Sequence, residues 1–425
     1  MSDHGALDHP LPAGMRDLLP PETIARRAIA RAFLGRAELF GYEIVSPPVF
    51  EYAETIERGL GTLDPREIVR FVEPETGEVV ALRPDVTPQI ARLVATRLSS
   101  RPPPYRLAYD ASVLRRRGGS RARTHRQIPQ LGVELVGTSG PDGDLELIVL
   151  AVTALRSMGL FTFTLDIGHA EIARRLLVEL DAPSRAAIAE ALGQKDLARL
   201  VQLSAPLSAI TRDALLALPA LHGPASLLDQ LPDALSKSDA REPIDALRDL
   251  VARLSTTLAS ATEGGATISV DLGEVRGHAY YTGPFFQIFA EGPGVAIGGG
   301  GRYDNLLSRF GRSLPATGLA LDVDALGWAL RVAGSPLISP PRRCVIAAGV
   351  GAVAFADRLR ERLVAATIVE GERAEAYARA WGYAVLVRVD GAMATIAEVD
   401  QATIRASAPR PIEDALASLT AVPPP

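Results

Sequence analysis

The chain of 425 residues has a single cysteine, two tryptophans and only 5% aromatic residues. With Cys344 alone, neither an intramolecular disulfide nor a cysteine-rich zinc site can form, which fits a reducing compartment. The longest apolar run, around residues 145–155, falls well short of the roughly 20 residues a membrane helix needs. Residues 1–10 are polar and lack the basic-then-apolar pattern of a secretory signal. These absences predict a soluble cytoplasmic protein with no membrane span and no metal site. The formal charge of -5, from 45 basic and 50 acidic side chains, is too mild for a surface built as a whole to bind nucleic acid.

The chain is too long for one ordinary core, and its punctuation divides it. Residues 1–10 read as disordered, residues 11–335 as one large domain, residues 336–341 as a proline-rich linker, and residues 342–420 as a small α/β domain, with a disordered end at 423–425. Pro20-Pro21-Glu22 followed by Ile24, Ala28, Phe33 and Phe40 predicts an amphipathic helix of about five turns, stopped by Gly41. A strand broken by Pro47-Pro48 is expected at 42–49, an irregular stretch around Gly59, and a hairpin bracketing Pro74-Glu75-Thr76-Gly77. Thr87 reads as the cap of a helix that starts at Pro88, and strands are expected at 105–114 and 128–136. The composition of residues 169–263 turns to Ala, Leu, Arg and Asp, which predicts an insertion of several short helices. In the small domain the pattern predicts strands at 344–348 and 384–389 and helices at 353–364 and 370–381.

Two stretches carry chemistry. Residues 115–126 hold six arginines around Gly-Gly-Ser, so Arg115 and Arg116 are candidate anion-binding residues; a solvated loop held open by its own repulsion fits the same pattern. Residues 275–304 hold two strand-like runs about Gly292-Pro293-Gly294, and the second ends in Gly298-Gly299-Gly300-Gly301-Arg302-Tyr303-Asp304. This reads either as the floor of a pocket, with Arg276, Tyr280 and Tyr281 along one side, or as a glycine hinge with tyrosines packed in a core.

Several segments, in order, resemble one architecture, the class II aminoacyl-tRNA synthetase fold, and within it the histidyl branch. Leu11-Pro12-Ala13-Gly14-Met15-Arg16-Asp17 resembles the histidyl-type opening, and Gly41-Tyr42-Glu43-Ile44-Val45-Ser46-Pro47-Pro48 the dimer-forming first motif. Leu82-Arg83-Pro84-Asp85-Val86-Thr87 is similar to the histidine-binding strand end, and Gln130-Leu131-Gly132-Val133-Glu134 to the close of the second motif. Arg276-Gly277-His278-Ala279-Tyr280-Tyr281-Thr282-Gly283 resembles the histidyl signature. The resemblance implies an α+β fold with an antiparallel sheet flanked by helices. It also implies a histidine site: Asp85, Thr87 and Gln130 for the ammonium, Arg276 for the carboxylate, Glu134 and Tyr281 for the imidazole, with Tyr280 alongside. The family usually has Glu where Asp85 stands, which shortens that reach by one methylene.

The catalytic half departs from the synthetase pattern. Arg117 stands where the acid that meets adenine is expected, Ala325 where the third motif has its arginine, and His278-Ala279 where synthetases usually carry Leu-Asp. A kept amino-acid pocket with altered ATP and tRNA parts resembles a paralogous family, the regulatory subunits of ATP phosphoribosyltransferase. That resemblance implies a non-catalytic subunit without a cofactor, a homodimer core within a hetero-oligomer, and a short-form catalytic partner whose feedback by histidine it mediates; tRNA is not an expected ligand. Two other functions stay open: a histidyl-tRNA synthetase with degenerate motifs, and a module that binds RNA or protein through residues 115–126.

Overall fold

A computed structural model of the chain describes residues 11–60, 68–115, 125–259, 265–275, 280–338, 343–400 and 402–420. Arg116, Arg117, Arg276, His278 and Ala279 lie outside these residues, as do the two ends read above as disordered. The chain divides into two compact units, one up to Ile338 and one from Ser339.

The first unit opens with α1 (Pro20–Leu39), where two prolines fill the first turn and Ala25, Ile29, Phe33 and Ala37 make one buried stripe at helical spacing. The strand expected at 42–49 is cut short by Pro47 and Pro48, which have no N–H to give a ladder, leaving β1 (Glu43–Ile44) and β2 (Phe50–Tyr52). Their carbonyls instead accept from the side chains of Arg83 and Gln89. Where an irregular stretch was expected stands α2 (Ala53–Leu60), with Ala53 and Ile56 buried. The hairpin of β3 (Arg70–Val72) and β4 (Val79–Leu82) joins β2 in a small sheet. Then follow α3 (Thr87–Thr96), β5 (Tyr105–Leu114), β6 (Gln127–Val136), α4 (Pro141–Ser157) and β7 (Phe163–His169).

The Ala- and Leu-rich stretch folds into short helices, α5 (Glu171–Leu176), α6 (Ala182–Gln194), α7 (Leu197–Ser204) and α8 (Ala209–Ala217). A strand that the composition hides, β8 (His222–Pro224), precedes α9 (Asp233–Ser236) and α10 (Arg241–Ala259). The unit closes with β9 (Ala266–Asp271), β10 (Pro284–Phe289), β11 (Gly298–Arg302), β12 (Ala316–Asp322) and α11 (Val323–Val332).

The large sheet runs β1-β5-β6-β12-β11-β10-β7-β9-β8. Its six middle strands, β5 to β7, pair antiparallel as expected; β1 with β5 and β7 with β9 pair parallel, so the sheet is mixed towards its margins. The two-residue period of a strand sorts its side chains. Leu131, Val133 and Leu135 of β6 and Leu319 and Leu321 of β12 join α1, α4 and α11 in the main core. Gln130 and Glu134 of β6, and Gly318, Ala320 and Asp322 of β12, alternate with those residues and so belong to the opposite face. There a second cluster, including Tyr109 of β5 and Ile90 of α3, covers part of the sheet.

The second unit contains β13 (Arg343–Ala347), α12 (Ala352–Glu361), β14 (Ala365–Val369), α13 (Ala374–Ala380), β15 (Val385–Asp390), β16 (Met393–Val399), β17 (Ile404–Ala406), β18 (Arg410–Pro411) and α14 (Ile412–Thr420). Strands β14, β16, β17 and β18 and helix α14 go beyond the expected elements. β14 opens on two alanines, which read as helix formers. β13 is parallel to both β14 and β15, and β16 runs antiparallel beside β15.

Glycine is required in β11 by close approach. A Cβ on Gly300 would stand 2.1 Å from the Gly318 carbonyl oxygen, a backbone atom of the neighbouring strand. Gly300→Ala is expected to lower stability by about 2–3 kcal/mol, as overpacking between fixed strands does, read as a lower denaturation midpoint at unchanged slope.

Candidate functional site

On the face opposite α1 and α11, a cleft of about 200 Å³ opens over β6, β12, β11 and β10. Asp85, Thr87, Gln130, Glu134, Tyr280, Tyr281 and Arg115 all line it. The register explains the grouping: Glu134 lies opposite Gly318, and Gln130 opposite Asp322. Gly318 leaves room for the acid, since a Cβ there would stand 1.8 Å from Glu134 Oε2.

Glu134 is 1% exposed. Its Oε1 accepts from the Thr87 hydroxyl at 2.6 Å, and its Oε2 accepts from the Tyr303 hydroxyl. Thr87 is therefore not the cap of α3. That work falls to Asp85, whose Oδ1 accepts from the backbone N–H of Val86 at 2.7 Å and of Thr87 at 3.3 Å. Sequence spacing favoured Thr87 because its partner, 47 residues away, is visible only once β6 has docked beside α3.

Burial pushes the Glu134 carboxyl up to about 8; the two hydroxyl bonds oppose the shift and nearby Asp85 adds to it. Neither Glu134 nor Asp85 forms an ion pair with a lysine or arginine among the described residues. The side-chain oxygen of Gln130 is buried with no hydrogen-bond partner among them. A buried cleft whose two acids, Asp85 and Glu134, pair with no lysine or arginine among the described residues suits a ligand that brings its own hydrogen-bond donors.

Aromatic rings form the wall. Tyr280 stands edge-on to Tyr281 at 5.0 Å and to Tyr303 at 5.6 Å, and Tyr281 lies parallel to Phe285 at 6.1 Å. Tyr303, Phe285 and Gln287 line the cleft but were not among the residues expected from sequence. Tyr303 could have been found from its place at the end of the glycine run. Its position is fixed by Arg302, 5% exposed, which donates to Asp144 at 2.9 Å, to Asp304 at 3.0 Å, and to the carbonyls of Thr138 and Gly140. Arg174 of α5 donates to the Tyr281 carbonyl at 3.0 Å. Arg115 reaches the rim and donates to the Pro84 carbonyl at 2.9 Å. Arg116 and Arg276 lie outside the described residues.

At the far end of the cleft, Asp322 Oδ1 accepts from the N–H groups of Asp324 at 3.0 Å and Ala325 at 3.1 Å, so a carboxylate covers the positive end of α11. Ala325 lines a separate cavity on the α1 side. No cluster of three or more His, Cys, Asp or Glu side chains that could hold a metal occurs among the described residues, and none of their helices is long and apolar enough to cross a membrane.

Residues 14–326 match the family model described as histidyl-tRNA synthetase. A protein of Syntrophotalea carbinolica named ATP phosphoribosyltransferase regulatory subunit is 37% identical over 335 residues, 78% of this chain and 77% of that protein. One of the same name from Anaeromyxobacter dehalogenans is 40% identical over 342 residues, 79% of this chain and 96% of that one. Among solved structures, an ATP phosphoribosyltransferase regulatory subunit/histidyl-tRNA synthetase from Bacillus halodurans aligns with a TM-score of 0.77 at 28% identity, covering 91% of this chain and 99% of that one.

The raised Glu134 carboxyl makes stability depend on pH. Between its ordinary value near 4.5 and about 8 the folded state holds a proton that the unfolded state has released, so this group's contribution is full below 4.5 and is lost as pH rises through about 8. Glu134→Gln is expected to flatten the fall of melting temperature over that interval, measured by calorimetry at a series of pH values; an unchanged slope would mean Glu134 is ionised throughout.

Proposed function

The chain belongs to the ATP phosphoribosyltransferase regulatory subunits, which share the histidyl-tRNA synthetase fold, and from this we propose that it is a non-catalytic subunit whose cleft holds free histidine. Its partner is a short-form catalytic subunit at the first step of histidine biosynthesis, and occupancy of the cleft restrains that partner. The observation that carries this reading is the buried Glu134, held by Thr87 and Tyr303 and paired with no lysine or arginine among the described residues. Histidine brings an ammonium, a carboxylate and an imidazole, each needing a matched group.

The buried Gln130 oxygen and Asp85 supply acceptors for the ammonium, with the Thr87 oxygen beside them. Glu134 and Tyr281 take the ring nitrogens, while Arg276 is assigned to the carboxylate by resemblance alone. At neutral pH a protonated Glu134 and a neutral imidazole together carry the single proton their hydrogen bond needs. Feedback further requires that histidine favour one state of the assembly, by a coupling of about 1–3 kcal/mol.

Loss of synthetase activity is part of the same reading. Asp322 sets a negative charge at the end of the cleft where a triphosphate would need cations, and Ala325 supplies none. Ala325→Arg is expected to yield no histidine-dependent exchange of pyrophosphate with ATP, because the new guanidinium enters beside the other cavity and Asp322 remains. Exchange activity in the unaltered chain would instead favour a working synthetase.

The decisive experiment is co-purification with the short catalytic subunit, followed by its activity with and without histidine. Glu134→Ala is expected to abolish inhibition by histidine while leaving partner activity in its absence largely intact. Inhibition that persists in this variant would put the histidine site elsewhere.

A further inference from the structure

We infer that Arg174 is a positioning residue for the cleft: from α5 it sets the place of Tyr281, and through Tyr281 the affinity of the cleft for its ligand. This role rests on the reading that the ligand is free histidine, and it brings in a residue from outside the motifs that carry the cleft.

The segment Tyr281-Thr282-Gly283, which leads into β10, is held from two sides. On the sheet side, the N–H of Thr282 donates to the Arg302 carbonyl at 2.7 Å, and the Thr282 hydroxyl accepts from the N–H of Asp304 at 2.9 Å. On the other side, the Gly283 carbonyl accepts from the N–H of Ala170 at 3.0 Å, and the Tyr281 carbonyl accepts from Arg174 Nη2 at 3.0 Å. Of these four bonds, only the one from Arg174 reaches the residue whose ring lines the cleft.

Helix α5 is a firm base for that contact. Ile172, Ala173 and Leu176 are buried in the main core, whereas Ala170 packs against the second cluster, so the chain crosses from the cleft side to the core side between β7 and α5. At the crossing, His169 Nδ1 accepts from the N–H of Glu171 at 3.2 Å. Burial, with Arg174 and Arg175 nearby, pushes this imidazole down to about 4, so at neutral pH the ring is uncharged and keeps its acceptor. Glu171 in turn aims the guanidinium: Arg174 Nη1 donates to it, which points Nη2 at the Tyr281 carbonyl.

The Arg174 side chain is 45% exposed, so its ion pair with Glu171 adds little to global stability. Its bond to a backbone carbonyl of the cleft wall fixes a position, which is the kind of contact that binding geometry depends on. The adjacent Arg175 is 46% exposed and meets Glu171 at 3.5 Å and Glu242 of α10 at 3.4 Å. It therefore shares the helix and the acid with Arg174 and serves as a control.

Histidine is titrated calorimetrically into the full-length chain and its variants. Arg174→Ala should weaken binding by about tenfold, Arg174→Lys should recover part of the loss, and Arg175→Ala should change nothing. In a Tyr281→Phe background, Arg174→Ala should weaken binding much less than in the unaltered chain, because both changes act on one contact. Equal affinity of Arg174→Ala and the unaltered chain, equal losses in both arginine variants, or losses that add independently of Tyr281 would overturn the assignment. If the unaltered chain takes up no histidine, the reading of the ligand fails, and hydrogen exchange of residues 280–289 in the ligand-free chain decides the role of Arg174. Faster exchange there in Arg174→Ala than in Arg175→Ala supports it, and equal exchange overturns it.

Discussion

A carboxyl group buried at 1% exposure governs the architecture of this molecule. Taking Glu134 out of water costs several kcal/mol unless other groups answer it, and the answer comes from two hydroxyls on separate elements, Thr87 at the start of α3 and Tyr303 just after β11. Both bonds require the sheet to pass close beneath, and Gly318 makes that possible because any side chain there would collide with the acid. The glycine run of β11 and the tyrosines above it are thus parts of one accommodation.

Rigidity is supplied from outside the cleft. Arg302 ties the end of β11 to the start of α4 through three acceptors, Thr138, Gly140 and Asp144, and to the following Asp304, and this holds Tyr303 over Glu134. Arg174 grips the backbone of Tyr281 from α5, the first helix of the Ala- and Leu-rich stretch. Helix α5 therefore bears directly on the cleft wall. Asp85, meanwhile, divides its work between the N-terminus of α3 and the cleft, so the missing methylene relative to Glu is consistent with a carboxylate held tight against its own helix.

The fold and the site were legible to different degrees. Asp85, Thr87, Gln130, Glu134, Tyr280 and Tyr281 could be grouped in advance because short motifs carry them, and the structure brings all six to one cleft. The role of Thr87 could not be read, because a hydroxyl at a helix start looks like a cap until a distant carboxyl competes for it. Helix α2 was hidden by its shortness and its glycine, and β14 by its alanines; both form because neighbouring elements bury their apolar residues, overriding weak local preference. The cavity beside Ala325 could not be read either, since it needs α1, α11 and the β10–β11 connection to meet.

Sequence by itself determined the long elements, such as α1, β5 and β6, whose apolar period or strand-forming run is strong enough to decide local conformation without neighbours. It also determined which residues could be grouped as lining one cleft, because those lie in contiguous motifs. Tertiary structure alone decided that the sheet is mixed rather than antiparallel throughout, that Asp85 rather than Thr87 caps α3, and that Ala325 faces a cavity of its own. Each of these rests on contacts between residues far apart in the chain, and such contacts are fixed by strand register and helix packing, which local preference does not encode.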